Sequence, residues 1–260
     1  LNYARGAWRW IQSYQWEFRI NQFSWPRLTT DNFDNITWCG GSVGIILLLL
    51  KLYDSTGESA YFDLARGGIE WILSLAQAGA YGSFAWAYGS GSRSFPFAYC
   101  HGTPSVAHVL YEFYKRTKET GYLTYARGGA RWLEVEADAL CWPHIRGLPH
   151  DTGLLTGTAG VGDSFVLYHS YDQDSDYLTY ARGAAQWLIS LAESPTSDQV
   201  KWTNYLEKED LNWGAKEHQT GWYSGAAGIG LFFLRLSQVV PQEPGSEEAI
   251  VLPSTHRLSR

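Results

Sequence analysis

Two short motifs alternate along the chain, and their spacing constrains the fold more than any other feature. Ala-Arg-Gly appears as Ala4-Arg5-Gly6, Ala65-Arg66-Gly67, Ala126-Arg127-Gly128 and Ala181-Arg182-Gly183, each with a tryptophan six residues after the alanine, at Trp10, Trp71, Trp132 and Trp187. Between them lie four glycine-led segments, Gly41-Ser42-Val43-Gly44, Gly102-Thr103-Pro104-Ser105, Gly157-Thr158-Ala159-Gly160 and Gly225-Ala226-Ala227-Gly228. A period of 55 to 68 residues with two motifs per unit marks an array of supersecondary units that bury their apolar faces on one another.

Each unit reads as a pair of helices. Over 44–53 the chain is apolar on nearly every side, the pattern of a helix enclosed by others. Over 61–76, Phe62, Ala65, Ile69, Ile72 and Leu75 recur at three- and four-residue intervals with polar residues between, which predicts an amphipathic outer helix. The inner pattern returns over 106–114, 161–171 and 229–236, and the outer one over 122–135 and 177–191. Short Asp/Gly/Ser/Thr turns join inner to outer helix, and longer loops rich in glycine, proline and aromatics lead to the next inner helix. The expected fold is all-α: an α/α toroid over residues 1–238 built of about four helix-pair repeats, with essentially no β-sheet. Its long loops gather at one mouth. Residues 239–260, rich in Pro, Glu and Ser, read as a tail. The repeated arginines are expected to pair with carboxylates of neighbouring outer helices, and the repeated tryptophans to lie in the core.

That architecture gives the cysteines a meaning. Cys39 and Cys100 each stand two residues before a glycine motif, in adjacent repeats, and His101 follows Cys100. A helix start lowers the pKa of a thiol and so favours the thiolate that ligates metals. Two thiols and an imidazole form a three-ligand zinc set that leaves a fourth tetrahedral position open for water or substrate. Cys39, Cys100 and His101 are therefore the candidate ligands for Zn2+. Cys141 and His144 fall outside the repeat phase, in a loop after an outer helix, and are set aside.

These residues also carry a family resemblance. Trp38-Cys39-Gly40-Gly41-Ser42-Val43-Gly44 resembles the Trp-Cys-x-Gly-x-x-Gly segment of the LanC-type lanthionine cyclases and their LanC-like relatives, and Cys100-His101-Gly102-Thr103 resembles their Cys-His-Gly segment. Trp222 to Ile229 is similar to the metal-free glycine repeats of the same family, and the likeness runs over roughly residues 1–238. The resemblance implies an α/α toroid whose zinc, on Cys39, Cys100 and His101, binds a peptide cysteine for addition to a dehydroalanine or dehydrobutyrine. Trp38 would then line the mouth beside the metal. The family's acid/base histidine lies in a His-Gly segment on an earlier repeat, whereas the only His-Gly here is His101-Gly102. His150 with Asp151, and His218, which precede the third and fourth glycine motifs in mouth loops, are the remaining acid/base candidates. The resemblance also implies about seven helix pairs, and Leu1 to Ala4 matches the interior of an outer helix, so the chain reads either as the C-terminal portion of a larger toroid or as a short, open variant.

Composition narrows the partners. A net charge of -6 without a basic cluster argues against nucleic acid. No stretch reaches the ~18 apolar residues of a membrane span, no signal peptide is visible, and three cysteines do not suggest a disulfide framework; a cytoplasmic location is expected, with a peptide or small thiol as substrate. Oligomeric state is left open. Two other functions fit the pattern: a non-catalytic zinc module that binds a thiol or peptide, and an α/α-toroid carbohydrate enzyme. The second would use mouth-loop acids such as Asp31, Asp34, Asp151 and Glu217 with the aromatic loop over 81–99.

Overall fold

In the computed structural model, residues 1–31, 34–137, 140–206 and 215–240 are described. Eight helices alternate between two layers. The outer ones are α1 (Asn2–Gln12), α3 (Ser59–Ser74), α5 (Thr120–Val135) and α7 (Asp176–Ser190); the inner ones are α2 (Ser42–Thr56), α4 (Thr103–Thr117), α6 (Thr158–Asp172) and α8 (Ala226–Val239). Inner helices α2, α4 and α6 pack on the outer helix that follows each, and α2, α4, α6 and α8 lie side by side in that order. This is an α/α toroid arrangement. Of the tail read over 239–260, only Val239 and Val240 are described, and Val239 ends α8.

Each inner helix begins at its glycine for a steric reason. The chain doubles back so tightly that a Cβ on Gly41, Gly102, Gly157 or Gly225 would overlap the carbonyl of the residue six positions earlier, respectively Asn35, Pro96, Asp151 and Gln219. Helices α2, α4 and α6 end on a left-handed residue, Gly57, Lys118 or Gln173, whose N–H returns to the carbonyl four residues back. That turn points the chain straight into the next outer helix.

A further repeat lies in the long loops. Trp86 and Trp142 are fully buried, and each indole N–H donates to a carbonyl near the end of the preceding outer helix, Ile72 at 2.9 Å and Leu133 at 3.0 Å. Trp202 does the same to Leu188 at 2.8 Å. Trp25, Trp86 and Trp142 also donate their backbone N–H to the hydroxyl of the first residue of the next inner helix, Ser42, Thr103 and Thr158. At Trp86 and Trp142 one residue thus ties an outer helix, through its indole, to the inner helix after it, through its backbone N–H.

The structure refines three expectations. The loops hold three two-stranded ribbons where essentially no sheet was expected: β1 (Trp16–Arg19) with β2 (Gln22–Ser24), β3 (Gln77–Ala78) with β4 (Phe84–Ala85), and β5 (Thr203–Leu206) with β6 (Ala215–His218), all antiparallel. A hydrophobic period cannot register strands this short. The repeated arginines reach one repeat onward, but to helix junctions: Arg5 pairs with Glu58 and Arg66 with Glu119, the N-cap residues of α3 and α5, while Arg127 pairs with Asp172 at the end of α6. Trp71 and Trp132 are core, stacked on the loop rings Phe18 and Phe97, and half-buried Trp187 meets His150. Trp10, with no such loop before it among the described residues, is 60% exposed.

Candidate metal centre

The four turns that open the inner helices are hydrogen-bonded in sequence. The N–H groups of Trp38 and Cys39 donate to the Cys100 carbonyl (3.0 and 3.3 Å), Cys100 donates to Leu155 (3.1 Å), and Leu155 donates to Tyr223 (2.9 Å). Cys39, Cys100, Leu155 and Tyr223 hold the same place in their repeats, two residues before the glycine. The ladder brings these equivalent side chains together across more than 180 residues of sequence.

Its result is a compact donor set. The His101 ring lies between the two sulfurs, with Nε2 at 3.1 Å from Cys39 Sγ and Nδ1 at 2.8 Å from Cys100 Sγ. One ligand atom from each of the three residues falls within 4.8 Å of the others. A tetrahedral zinc with bonds of about 2.0–2.3 Å sets such atoms about 3.6–3.8 Å apart, so the residue types and their clustering suit the ion once the His101 ring turns to present one nitrogen between the two sulfurs. Cys100 is fully buried, Cys39 exposed and His101 half-buried, so the set is open on the Cys39 side. The Cys100 thiol, hydrogen-bonding toward Cys39, and the His101 ring beyond it hold Cys39 well below the ordinary thiol range, against the effect of burial. Cys100 is driven the other way by the Cys39 sulfur and by burial. The two thiols thus share one proton, which a metal would displace.

Two neighbours, Tyr223 and Tyr88, escaped the sequence reading, and a third, His144, was set aside there. The Tyr223 hydroxyl donates to Cys100 Sγ at 3.5 Å; its repeat position, equivalent to the cysteines, was the available signal. Tyr88 and His144 rings stand 5.6 and 5.3 Å from His101, and the Tyr88 hydroxyl lies 3.3 Å from His144 Nε2. Burial and then the nearby His101 lower the His144 pKa to about 4, which keeps that imidazole neutral at pH 7. The sequence shows it only in the Cys141-His144 pair, and its place beside His101 is not legible there because its loop is out of phase with the repeats. Trp38 is half-buried between two hollows. One, of about 240 Å³, opens at Cys39; the other, of about 460 Å³, runs inward past Tyr99 and His108 between inner helices.

The other expected site residues lie in different surroundings. His150 is half-buried, with its ring 6.0 Å from that of Trp187. His218 is exposed, 2.9 Å from Lys201 Nζ and 3.7 Å from Glu193. Asp31, Asp34 and Asp151 each accept a backbone N–H, from Leu28, Ser90 and Gly153. Glu217 lies in β6, and its side chain is outside the described residues.

Asp151 supports a specific prediction. Its Oδ1 takes the Gly153 N–H at 2.7 Å just as Asn35, at the same repeat position, takes Thr37 at 2.9 Å. Burial raises the Asp151 pKa to about 6, with the Gly153 N–H opposing. The unfolded carboxyl titrates near ~3.9. The folded state therefore binds more protons between these values, and stability present at low pH is lost as pH rises through about 6. Asp151→Asn is expected to keep the turn and to remove a decline of about 2–3 kcal/mol between pH 4 and 7. Urea unfolding of both proteins across that range checks this; parallel curves would contradict it.

No curated protein matches the sequence. Solved structures share the fold at low identity. The Lin0763 protein from Listeria innocua superposes with a TM-score of 0.62 at 18% identity, over 92% of this chain and 65% of that one. An inactive double-aspartate variant of a family 76 α-1,6-mannanase from a Salegentibacter species, bound to α-1,6-mannotriose, gives 0.59 at 15% identity over 92% and 70%. A family 76 mannosidase from Bacteroides thetaiotaomicron gives 0.54 at 14% over 84% and 58%. The chain spans less than two thirds of the length of the Listeria protein. The family model described as "Lanthionine synthetase C-like protein" matches residues 2–175, a stretch that holds Cys39, Cys100 and His101 together with both of their glycine motifs. The chain belongs to the lanthionine synthetase C-like family.

Proposed function

We propose that the chain holds one zinc ion through Cys39, Cys100 and His101 and promotes addition of a peptide thiol to the alkene of a dehydroamino acid, forming a thioether. The observation that carries this reading is the convergence of three donors within 4.8 Å at the entrances of α2 and α4, open on one side. A zinc ion bound there supplies the Lewis acidity that keeps an incoming thiol ionised at neutral pH. In the addition, a C–S bond forms at the β-carbon and the alkene electron pair moves to the α-carbon, which takes up the proton that the thiol lost. Mass is unchanged. His144 is the imidazole nearest to His101 and is held neutral, so it is the first candidate to accept that proton and return it. His150, Asp151 and His218 stay in the same test. Trp38, between the two hollows, would flank the bound peptide.

The mannanase likeness, at 15% identity, shows the fold alone, and we favour the thiol reading over a carbohydrate enzyme on the donor cluster. That enzyme's inactive variant replaces two adjacent aspartates, and this sequence contains no adjacent pair.

Ring closure of a dehydrated, cysteine-containing peptide, followed as loss of free thiol at constant mass, tests the proposal. The zinc-loaded chain should exceed background, Cys39→Ala should match background, and His144→Gln should lose about 10²–10⁴-fold in rate with zinc retained. Wild type that binds zinc and peptide yet closes no ring would make the chain a binding module.

A further inference from the structure

In three repeats the loop tryptophan seals the loop onto its outer helix, through the bonds from Trp86, Trp142 and Trp202 described above. The first repeat departs from this. Trp25 is 1% exposed, yet among the described residues its buried indole N–H has no acceptor. α1 meets Trp25 through Trp8 instead, with ring centroids 6.1 Å apart, and a cleft of about 240 Å³ opens nearby, lined by Trp10, Ile11, Tyr14, Trp25, Arg27 and Cys39 among others. Arg27 is exposed, lies against Gly40 beside Cys39, and has no hydrogen bond or ion pair among the described residues. The one repeat that is unsealed is the one that holds the exposed cysteine.

We infer that this cleft binds the part of a substrate that flanks its reacting cysteine: an apolar side chain seated on Trp10 and Ile11, with a carboxylate taken by Arg27. The preferred ligand is a cysteine peptide with an apolar residue after the cysteine and a free carboxylate. The walls are apolar, so ring or aliphatic burial supplies most of the affinity. Arg27, a cation in the lining with no partner among the described residues, selects a carboxylate over a neutral amide. The occupant's sulfur is placed at Cys39 only on the zinc reading above, but the cleft can be tested without it.

Calorimetric titration of the zinc-loaded chain with four probes separates the two claims: N-acetyl-Cys-Phe, its C-terminal amide, N-acetyl-Cys-Gly, and the S-methyl form of the first. The phenylalanine acid should bind about tenfold tighter than the glycine one and about threefold tighter than its amide. Arg27→Gln, an exposed change that leaves the fold intact, should abolish the acid-over-amide preference and keep the phenylalanine preference. The S-methyl probe should keep part of its affinity. If all thiol probes bind equally and Arg27→Gln changes nothing, the cleft inference is overturned while the zinc reading stands. If the S-methyl probe binds as well as the thiol and keeps the Arg27 dependence, the cleft stands and the zinc reading fails.

Discussion

Replacing Trp142 with alanine is expected to lower stability by about 3–5 kcal/mol, the range for removing a large buried aromatic. Trp142 is fully buried, its indole N–H bonds the Leu133 carbonyl at the end of α5, and its backbone exchanges hydrogen bonds with Thr158 at the start of α6. The substitution opens a cavity and unties both helices. For a chain of this size, that corresponds to a fall in Tm of about 6–20 °C. Trp142→Phe keeps most of the volume and loses the indole donor, so it should cost about 1–2 kcal/mol. Denaturant melts of the pair check the ordering; a Trp142→Ala cost below about 1 kcal/mol would mean that the loop tryptophans do not bind the repeats together. Because His144 lies two residues on, and its carbonyl accepts the Phe97 N–H, the same variant should also disturb the wall beside His101.

The second large effect falls on metal affinity. Cys100→Ala removes one of two sulfur donors, and if a zinc site of about 10–16 kcal/mol is shared among four ligands, affinity falls by about two to three orders of magnitude. Stability of the apoprotein should change little. Cys100 belongs to a small buried cluster with Ala98 and Leu155, apart from the main core of helix-borne side chains. Competition against a zinc-sensitive dye, with circular dichroism on the same samples, gives both numbers. Loss of helicity in step with loss of zinc would contradict the separation of fold from metal.

The sequence made legible whatever repeats with the helix pairs. Four glycine motifs mark the starts of the four inner helices, because the close approach of a carbonyl there admits no side chain. Ala-Arg-Gly marks the outer helices for a related reason: a Cβ on Gly67 or Gly128 would strike Phe23 or Phe84 of the loop ribbons. The matching positions of Cys39 and Cys100 could be read from the same register. What stayed hidden was set by loops, whose lengths vary from repeat to repeat. Trp25, Trp86, Trp142 and Trp202 form a repeat of their own, but Trp202 stands farther from its inner helix than the others do, and the pattern fades in the sequence. Tyr223 could have been found by carrying the cysteine register into the fourth repeat. His144 could not, since a bridge between Pro143 and His150 and the pairing of Phe97 with its carbonyl set its place.

The central claim is that Cys39, Cys100 and His101 hold one metal ion and leave a position that a thiol can take. Cobalt titration measures this most directly, because cobalt replaces zinc in tetrahedral sulfur sites and its charge-transfer absorption scales with the number of bound thiolates. The chain should take up one cobalt with absorption typical of two thiolates, and N-acetylcysteine should raise that absorption by about half as a third sulfur binds. Cys39→Ala should remove the two-thiolate signal. Stoichiometric cobalt binding with no response to added thiol, or a spectrum unchanged by Cys39→Ala, would contradict the account.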